Sequence, residues 1–259
     1  MALGLGTGLG KGGIIGSIPG VVTDNLVMKH MYPAGAVVPL SDGAVDINAD
    51  ADADEYVETN IPGSNFNGDF SFVGWIFPTD ITGTVIISAQ DGNDDGFRFK
   101  LDANSKLESK LNDTTTTADT TLLANTWQHV AFTYNDTTGN AVNIYLNGVL
   151  DEPTATVDKA LAVADTAVLG TLSYATTSSS FMGYMCNVGV WTGVLTQPQI
   201  KSIMWKQYAD LTDGDKDAGT TGSSNLVSWW NLDTETNTSG EAGTGGVKDS
   251  HGTNHGTLT

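Results

Sequence analysis

Basic side chains are scarce in this sequence. The 259 residues carry 11 Lys and Arg against 30 Asp and Glu, which gives a formal net charge of −19, and Arg98 is the only arginine. Affinity for nucleic acid comes mainly from clustered Lys and Arg that neutralise phosphates. The composition therefore excludes an electrostatically driven nucleic-acid partner.

Cysteine and long apolar runs are also lacking. Cys186 is the single cysteine, which excludes an intrachain disulfide. No run of about 18 apolar residues could span a bilayer. The start has no basic segment before Lys11, and glycines interrupt its apolar runs. We therefore expect no Sec-type signal peptide and no membrane partner, and a protein that stays in the cytoplasm or leaves it within a virus particle.

Residues that favour helices are few. The acidic excess is almost wholly aspartate, 24 Asp against 6 Glu, and the chain holds 31 glycines with many Thr, Asn and Ser. Short polar side chains compete with the helix backbone, and threonine suits strands. The composition predicts an all-β fold.

The chain divides into three parts. Residues 1–42 form a Gly-rich arm of low charge without helical or strand periodicity. Residues 43–209 consist of short segments that alternate apolar and polar side chains between turns. Residues 210–259 combine a polar linker with a C-terminal strand extension that begins at Leu226. An extension this short must pair with the sandwich or with another chain.

The middle part has the pattern of an antiparallel β-sandwich of two sheets. Phe97, Phe99 and Leu101 alternate with polar neighbours, and Asn147-Gly148 is a hairpin-type turn. One closing helix is predicted over residues 196–209, where Thr196 and Gln199 form a capping box. Its apolar face comprises Ile200, Ile203, Met204 and Tyr208.

Several segments occur in a recognisable order. They are Asp54–Glu58, Phe70–Ile76, Trp127–Tyr134, Ile144–Gly148 and Phe181–Trp191, followed by Leu195-Thr196 and the helix. As an ordered set they resemble the concanavalin A-like, laminin-G-like jelly-roll family, over about residues 44–205. The resemblance implies a lectin-like sandwich.

The tail contains segments that usually precede such a domain. Leu226–Asp233 and Val247–Leu258 resemble the opening segments of the same family but come last here. Either the tail supplies strands to its own sandwich in permuted order, or it donates them to a neighbour. Together with the Gly-rich arm, this arrangement resembles laminin-G-like virion proteins of tailed phages, especially marine ones.

The carboxylates of the sequence bear on two kinds of site, a hydrolase site and a calcium site. Retaining glycoside hydrolases of this fold need paired carboxylates on one strand, and no glutamate here is followed by Asp two residues later. Asp91, Asn93 and Asp95, with Asp102 at the twelfth position, fit a calcium loop, with a plain hairpin turn as the other interpretation. Asp50–Asp54 and Asp213–Asp217 are expected to be solvated acidic segments.

The sequence assigns His129, Cys186 and the tryptophans mainly to the core. His129 and Cys186 lie in predicted strands and are expected to be structural, and no His/Cys spacing suggests zinc. The tryptophans are expected to be core residues, with sugar stacking as the alternative for five of them: Trp75, Trp191, Trp205, Trp229 and Trp230.

Two functions from different classes follow from the resemblance. The first is a non-enzymatic phage virion structural protein, a capsid-decoration or fibre-like subunit. It would contact other virion proteins and copies of itself through the arm and the C-terminal strand. The alternative is a carbohydrate-binding module that recognises host-surface glycans, with Ca²⁺ as an optional cofactor. A glycoside hydrolase is the third hypothesis.

Overall fold

The computed structural model describes residues 38–41, 43–48, 55–91, 95–157, 161–173, 179–219, 222–233 and 246–259. The chain divides into two units, residues 1–36 and residues 37–259, and all described residues belong to the second. The predicted arm therefore lies almost entirely outside the described residues, and so does the acidic segment 50–54.

Two antiparallel sheets form a sandwich, as the sequence predicted. Within the described residues the first sheet has the order β1 (Val45–Asn48), β12 (Met182–Trp191), β3 (Phe70–Pro78), β8 (Gln128–Asn135), β9 (Ala141–Leu146) and β10 (Val149–Thr156), with β13 (Leu226–Trp230) also paired to β12. The second has the order β14 (Gly246–Val247), β15 (Gly256–Leu258), β2 (Val57–Glu58), β11 (Val168–Leu169), β4 (Val85–Gln90), β5 (Gly96–Leu101), β6 (Lys106–Leu111) and β7 (Thr114–Thr121).

The core between the sheets follows from the period-two alternation of the strands. Phe70 and Phe72 of β3 face Phe97 and Phe99 of β5, with ring centroids 4.8 Å apart for Phe70–Phe97 and 6.1 Å apart for Phe72–Phe99. Phe132 of β8 contacts two of these rings. The residues between them on each strand therefore face away from this core.

The closing helix is shorter than predicted. The helix α1 spans Gln197–Ile203, and the predicted capping box between Thr196 and Gln199 is present. The helix ends early because the Trp75 indole N–H donates to the Met204 carbonyl at 2.8 Å, which satisfies a carbonyl at the helix end. The chain then turns away, so the predicted end at residue 209 was wrong.

The segment that follows is ordered, whereas Asp213–Asp217 was predicted to be a solvated linker. After a 3-10 turn at Tyr208–Asp210, a short helix α2 spans Asp213–Lys216. Asp215 is only 4% exposed, accepts a hydrogen bond from the Thr212 backbone N–H at 2.7 Å, and lies 2.6 Å from Lys206 Nζ. The prediction is wrong for Asp215, because a capping box and an ion pair hold it against the domain. Another 3-10 turn spans Gly63–Phe66.

The tail strands pair with their own sandwich. β13 pairs with β12, and β15 pairs with β2, where Tyr56 and Thr259 exchange backbone hydrogen bonds of 3.3 and 3.0 Å. Of the two arrangements left open by the sequence, the structure has the permuted order within one chain.

A buried carboxylate organises the turn between β14 and β15. Asp249 is 3% exposed and accepts hydrogen bonds from the backbone N–H groups of Trp229 (3.0 Å), His251 (3.0 Å) and Asn254 (3.1 Å). Its own N–H donates to His255 Nδ1 at 3.1 Å. Asp249 therefore joins the turn to β13 and the first sheet.

Among the helices the structure describes, none is long and apolar enough to cross a membrane.

Candidate functional site

The outer face of the first sheet is covered by the chain itself. The helix α1 and the segment around α2 pack against it, and the shared buried cluster includes Ile200, Ile203, Leu211, Trp191 and Trp229. A smaller cluster joins Trp75, Cys186 and Met204. The middle of this face is therefore interior and offers no ligand surface.

His129 and Cys186 lie in this covered layer, as predicted. Burial lowers the pKa of His129 to about 3 and raises the pKa of the Cys186 thiol to about 12. The His129 ring packs edge-on against Trp75, with centroids 5.4 Å apart. Near neutral pH a protonated thiol is a poor nucleophile and an uncharged buried imidazole is not exposed to substrate, so both residues are structural.

The tryptophans mostly belong to the core. Trp75, Trp191, Trp229 and Trp230 are buried, so they cannot stack on a sugar. Trp205 is 49% exposed and lies 5.9 Å from Trp75 between ring centroids. Of the five tryptophans considered for stacking, Trp205 alone stays a candidate.

The outer face of the second sheet carries polar and charged side chains. Phe97, Phe99 and Leu101 of β5 belong to the core, so Arg98 and Lys100 between them lie on the opposite face. The neighbouring strands β6 and β7 continue this polar surface. We call it the β5–β7 face; it comprises Arg98, Lys100, Glu108, Lys110, Thr115 and Thr117.

The strand register arranges these six residues in two rows. One row runs from Arg98 through Lys110 to Thr115, and the other runs from Lys100 through Glu108 to Thr117. Lys100 Nζ lies 3.2 Å from Glu108 Oε1, and these two side chains are 20% and 15% exposed. The face therefore offers partly desolvated charges beside hydroxyl groups.

A loop borders this face on the side of β4. The backbone N–H of Ser173 donates to Ser88 Oγ at 2.8 Å, and the Ser173 hydroxyl donates to the Gln90 carbonyl at 2.6 Å. Ser88 is cross-strand from Arg98, so the chain around Ser173 lies on the same side of the sheet. The chain around Ser173 therefore forms the border of the β5–β7 face on the side of β4.

Sequence reasoning did not single out the β5–β7 face, although its signal is present. Arg98 and Lys100 recur at a spacing of two, and so do Lys106, Glu108 and Lys110 on the next strand. That pattern shows which residues share a face. It does not show that the face is open.

The structure separates the residues of the predicted calcium loop. Asp91 and Asp95 are close, because the Asp95 N–H donates to Asp91 Oδ1 at 3.0 Å, whereas Asn93 lies outside the described residues. Asp102 follows the far end of β5, about 20 Å away at strand rise. A cation bound at the Asp91–Asp95 turn cannot reach Asp102. Asp102 therefore does not belong to a metal site with Asp91 and Asp95.

Asp102 instead organises the next turn. It accepts hydrogen bonds from the backbone N–H groups of Asn104 and Lys106, both at 2.8 Å. Partial burial raises its pKa, but these hydrogen bonds outweigh that effect and leave the pKa below its ordinary value. In the part of the chain that the structure describes, no three metal-ligating side chains of His, Cys, Asp or Glu come together. Calcium at the Asp91–Asp95 turn stays a prediction.

Comparison with known families agrees with this architecture. A laminin-G-like model of the concanavalin A-like lectin/glucanases superfamily matches residues 51–201, which is more than half of the chain. The chain therefore belongs to the concanavalin A-like lectin/glucanases superfamily. A search of curated proteins finds no match.

Several solved structures share this fold. A Bacteroides ovatus protein provisionally described as carbohydrate-binding has a TM-score of 0.59 and 20% identity, and the match covers 80% of this chain and 56% of that chain. The CBM40 module of a Ruminococcus gnavus IT-sialidase, bound to α2,3-sialyllactose, has a TM-score of 0.51 and 16% identity over 62% of this chain and 96% of that one. Domain 4 of a Geobacillus stearothermophilus arabinanase, in complex with arabinotriose, has a TM-score of 0.50 and 20% identity over 63% and 79% of the two chains. These similarities show the shared fold.

Proposed function

We propose that this chain is a non-catalytic carbohydrate-binding domain whose ligand lies on the β5–β7 face. The observation that carries the proposal is the contrast between the two outer sheet faces. Helix α1 and the tail cover most of one, while the other presents hydroxyl, carboxylate and cationic groups on three adjacent strands. Sugar hydroxyl groups both donate and accept hydrogen bonds, and this mixture of donors and acceptors suits them.

The carboxylates of this face favour binding over hydrolysis. Retaining glycoside hydrolases use two carboxyl groups about 5–5.5 Å apart, and inverting enzymes also need a pair. Glu108 is the only carboxylate among the six residues of the β5–β7 face, and it is engaged with Lys100. A glycan bound over these six residues would therefore meet one carboxylate, which Lys100 neutralises.

Two of the structurally similar proteins support this proposal. The Ruminococcus gnavus module holds sialyllactose, and the arabinanase domain holds arabinotriose. Both are parts of carbohydrate-active enzymes, which is the setting expected of a module that binds glycan without cleaving it.

The test is a glycan array probed with the intact chain and two bulky variants. Thr115→Trp, on an exposed position of the β5–β7 face, should abolish binding by occupying the surface. Thr138→Trp, at an exposed position in the β8–β9 turn, is the matched control and should bind like the parent. Loss of binding in Trp205→Ala with full binding in Thr115→Trp would move the site to the other sheet. An array without signal for the folded parent would refute the proposal.

The virion-structural hypothesis stays a prediction, as does localisation in a virion. It had three motives: the missing signal peptide, the Gly-rich arm and the out-of-place terminal strand. The first is not tested, and the arm lies almost entirely outside the described residues. The terminal strand pairs with its own sandwich. Carbohydrate binding is therefore the better supported of the two functions.

A further inference from the structure

Three aromatic side chains lie next to one another near the end of β3, on the outer face of the first sheet. The ring centroid of Phe77 in β3 is 5.8 Å from that of Tyr184 in β12 and 5.5 Å from that of Trp127, which precedes β8. Tyr184 is 37% exposed, and the other two side chains are half-buried. Trp75, two residues before Phe77 on the same face, is by contrast fully buried.

A carboxylate extends this group of rings by one strand. Asp46 of β1 is exposed and pairs across the strands with Tyr184, which pairs in turn with Phe77. Residues that are directly opposed in a sheet share a face, with Cβ atoms about 4.5–5.5 Å apart. Asp46, Tyr184, Phe77 and Trp127 therefore form one line from β1 to the start of β8. We call it the aromatic row.

The aromatic row is a group of adjoining apolar side chains in contact with solvent. Single exposed apolar residues are ordinary, whereas exposed apolar side chains that adjoin one another mark a site of interaction. The row belongs to the first sheet and the β5–β7 face to the second, so the two surfaces are separate.

The charges around the aromatic row favour a positively charged ligand. Its one charged member is a carboxylate, and the chain as a whole has a net charge of −19, which attracts cations and repels a second copy of the chain. The face of an aromatic ring is also negative and attracts a cation within about 6 Å of its centroid. Among the described lysines and arginines, Lys216 lies over the Tyr208 ring, and none lies over a ring of the row.

The inclination of the rings narrows the ligand further. The Phe77 ring makes an angle of 66° with Tyr184 and 59° with Trp127. Rings inclined in this way do not form the flat platform on which a sugar ring stacks, but they present differently oriented surfaces to a compact group. A primary ammonium group is strongly hydrated, and a quaternary ammonium group has no N–H that must leave water. It can therefore contact several rings at a lower cost in lost hydration.

From this arrangement we infer that the aromatic row binds the quaternary ammonium group of an organic cation. The three rings contact its methyl groups, and Asp46 balances its charge. This second site does not depend on the carbohydrate-binding function, because no residue of the β5–β7 face takes part in it.

The experiment is an NMR titration of the intact chain with two probes of the same shape, followed at the indole N–H resonance of Trp127. Choline carries a trimethylammonium group, and 3,3-dimethylbutan-1-ol has a neutral carbon in place of the nitrogen. Choline should bind about fivefold more tightly or better, as expected for a partly desolvated cation–π contact. Tyr184→Leu keeps an apolar side chain, so it should remove most of this preference while leaving the affinity for the alcohol unchanged.

Asp46→Asn and a matched control separate the row from the overall charge. Asp46→Asn should remove part of the preference, whereas Asp119→Asn, at an exposed position of β7, removes the same charge elsewhere and should leave it unchanged. An equal effect of these two substitutions would overturn the role of Asp46 and with it the inference. Circular dichroism verifies that each variant is folded.

The remaining outcomes identify other occupants. Equal affinity for the two probes, or binding of neither by the folded parent, would overturn the inference and leave the proposed function standing. A preference for choline that persists in Tyr184→Leu would overturn the assignment to the aromatic row. A dimer in sedimentation velocity that Tyr184→Leu dissociates would assign the row to a second copy of the chain and contradict the inference.

Discussion

His129 shows how burial alone fixes the state of a titratable side chain. Its ring lies in the layer beneath α1, next to Trp75, and burial lowers its pKa from the ordinary 6.5 to about 3. The folded protein therefore holds the imidazole neutral over a range in which the unfolded chain takes up a proton.

The stability of the fold should consequently depend on pH through His129. Above about pH 6.5 neither state binds the proton, and the free energy of unfolding is at its full value. As the pH falls from about 6.5 towards 3, only the unfolded state is protonated, so stability decreases by at most about 1.4 kcal/mol per pH unit. His129→Phe should remove this contribution in urea unfolding between about pH 7 and pH 5. Equal pH slopes in the parent and the variant would contradict the assignment.

Asp249 shows how hydrogen-bond donors hold a buried side chain in place. Three backbone N–H groups point at this carboxylate, and one of them belongs to Trp229 in the first sheet. The charge can remain buried because hydrogen bonds replace the lost water.

Asp249→Ala should therefore be strongly destabilising. It leaves three backbone N–H groups without this acceptor, of which the Trp229 N–H is buried, and we expect a loss of about 2 kcal/mol or more in the free energy of unfolding. Asp119→Ala, at an exposed position of β7, is the control and should change stability by less than about 0.5 kcal/mol. A similar effect of the two substitutions in urea unfolding would show that the Asp249 network is not important.

At the level of elements, the start of α1 was predictable and its end was not. The capping box of Thr196 and Gln199 is local in sequence, so the residues themselves indicate where the helix begins. The end depends on the Trp75 indole, which belongs to a strand more than a hundred residues away. The order around α2 has both origins: its capping box of Thr212 and Asp215 is local, whereas the Trp191 indole N–H that donates to the Asp215 carbonyl at 3.1 Å comes from a distant strand.

The pairing of the tail within its own sandwich has a measurable consequence. Because β13 and β15 complete the two sheets in one chain, folding requires no second copy. The thermal unfolding midpoint should stay constant over about a hundredfold range of protein concentration. A midpoint that rises with concentration would instead indicate strand donation between subunits.

For the whole molecule, the high net negative charge lowers the stability of the fold. A charge of −19 keeps the protein soluble but disfavours the compact state through self-repulsion. The cations of the β5–β7 face relieve this only locally.

Added salt should therefore stabilise the fold. Raising sodium chloride from about 0.02 M to about 0.2 M should increase the free energy of unfolding, because repulsion within the folded protein is screened. Urea unfolding at the two salt concentrations measures this change. A fall in stability with salt would show that attractive ion pairs dominate the surface.

The sequence by itself determined the all-β class, the division of each strand into two faces, the start of the helix and the acidic character of the domain. These properties depend on neighbouring residues or on composition, so they can be read without the fold. The tertiary structure decided which outer face is covered and where the tail strands pair. Those relations join residues that are far apart in the chain. The period-two pattern places Arg98 and Lys110 on the outside of their strands, but it does not reveal that the two strands are neighbours or that no other part of the described chain covers them.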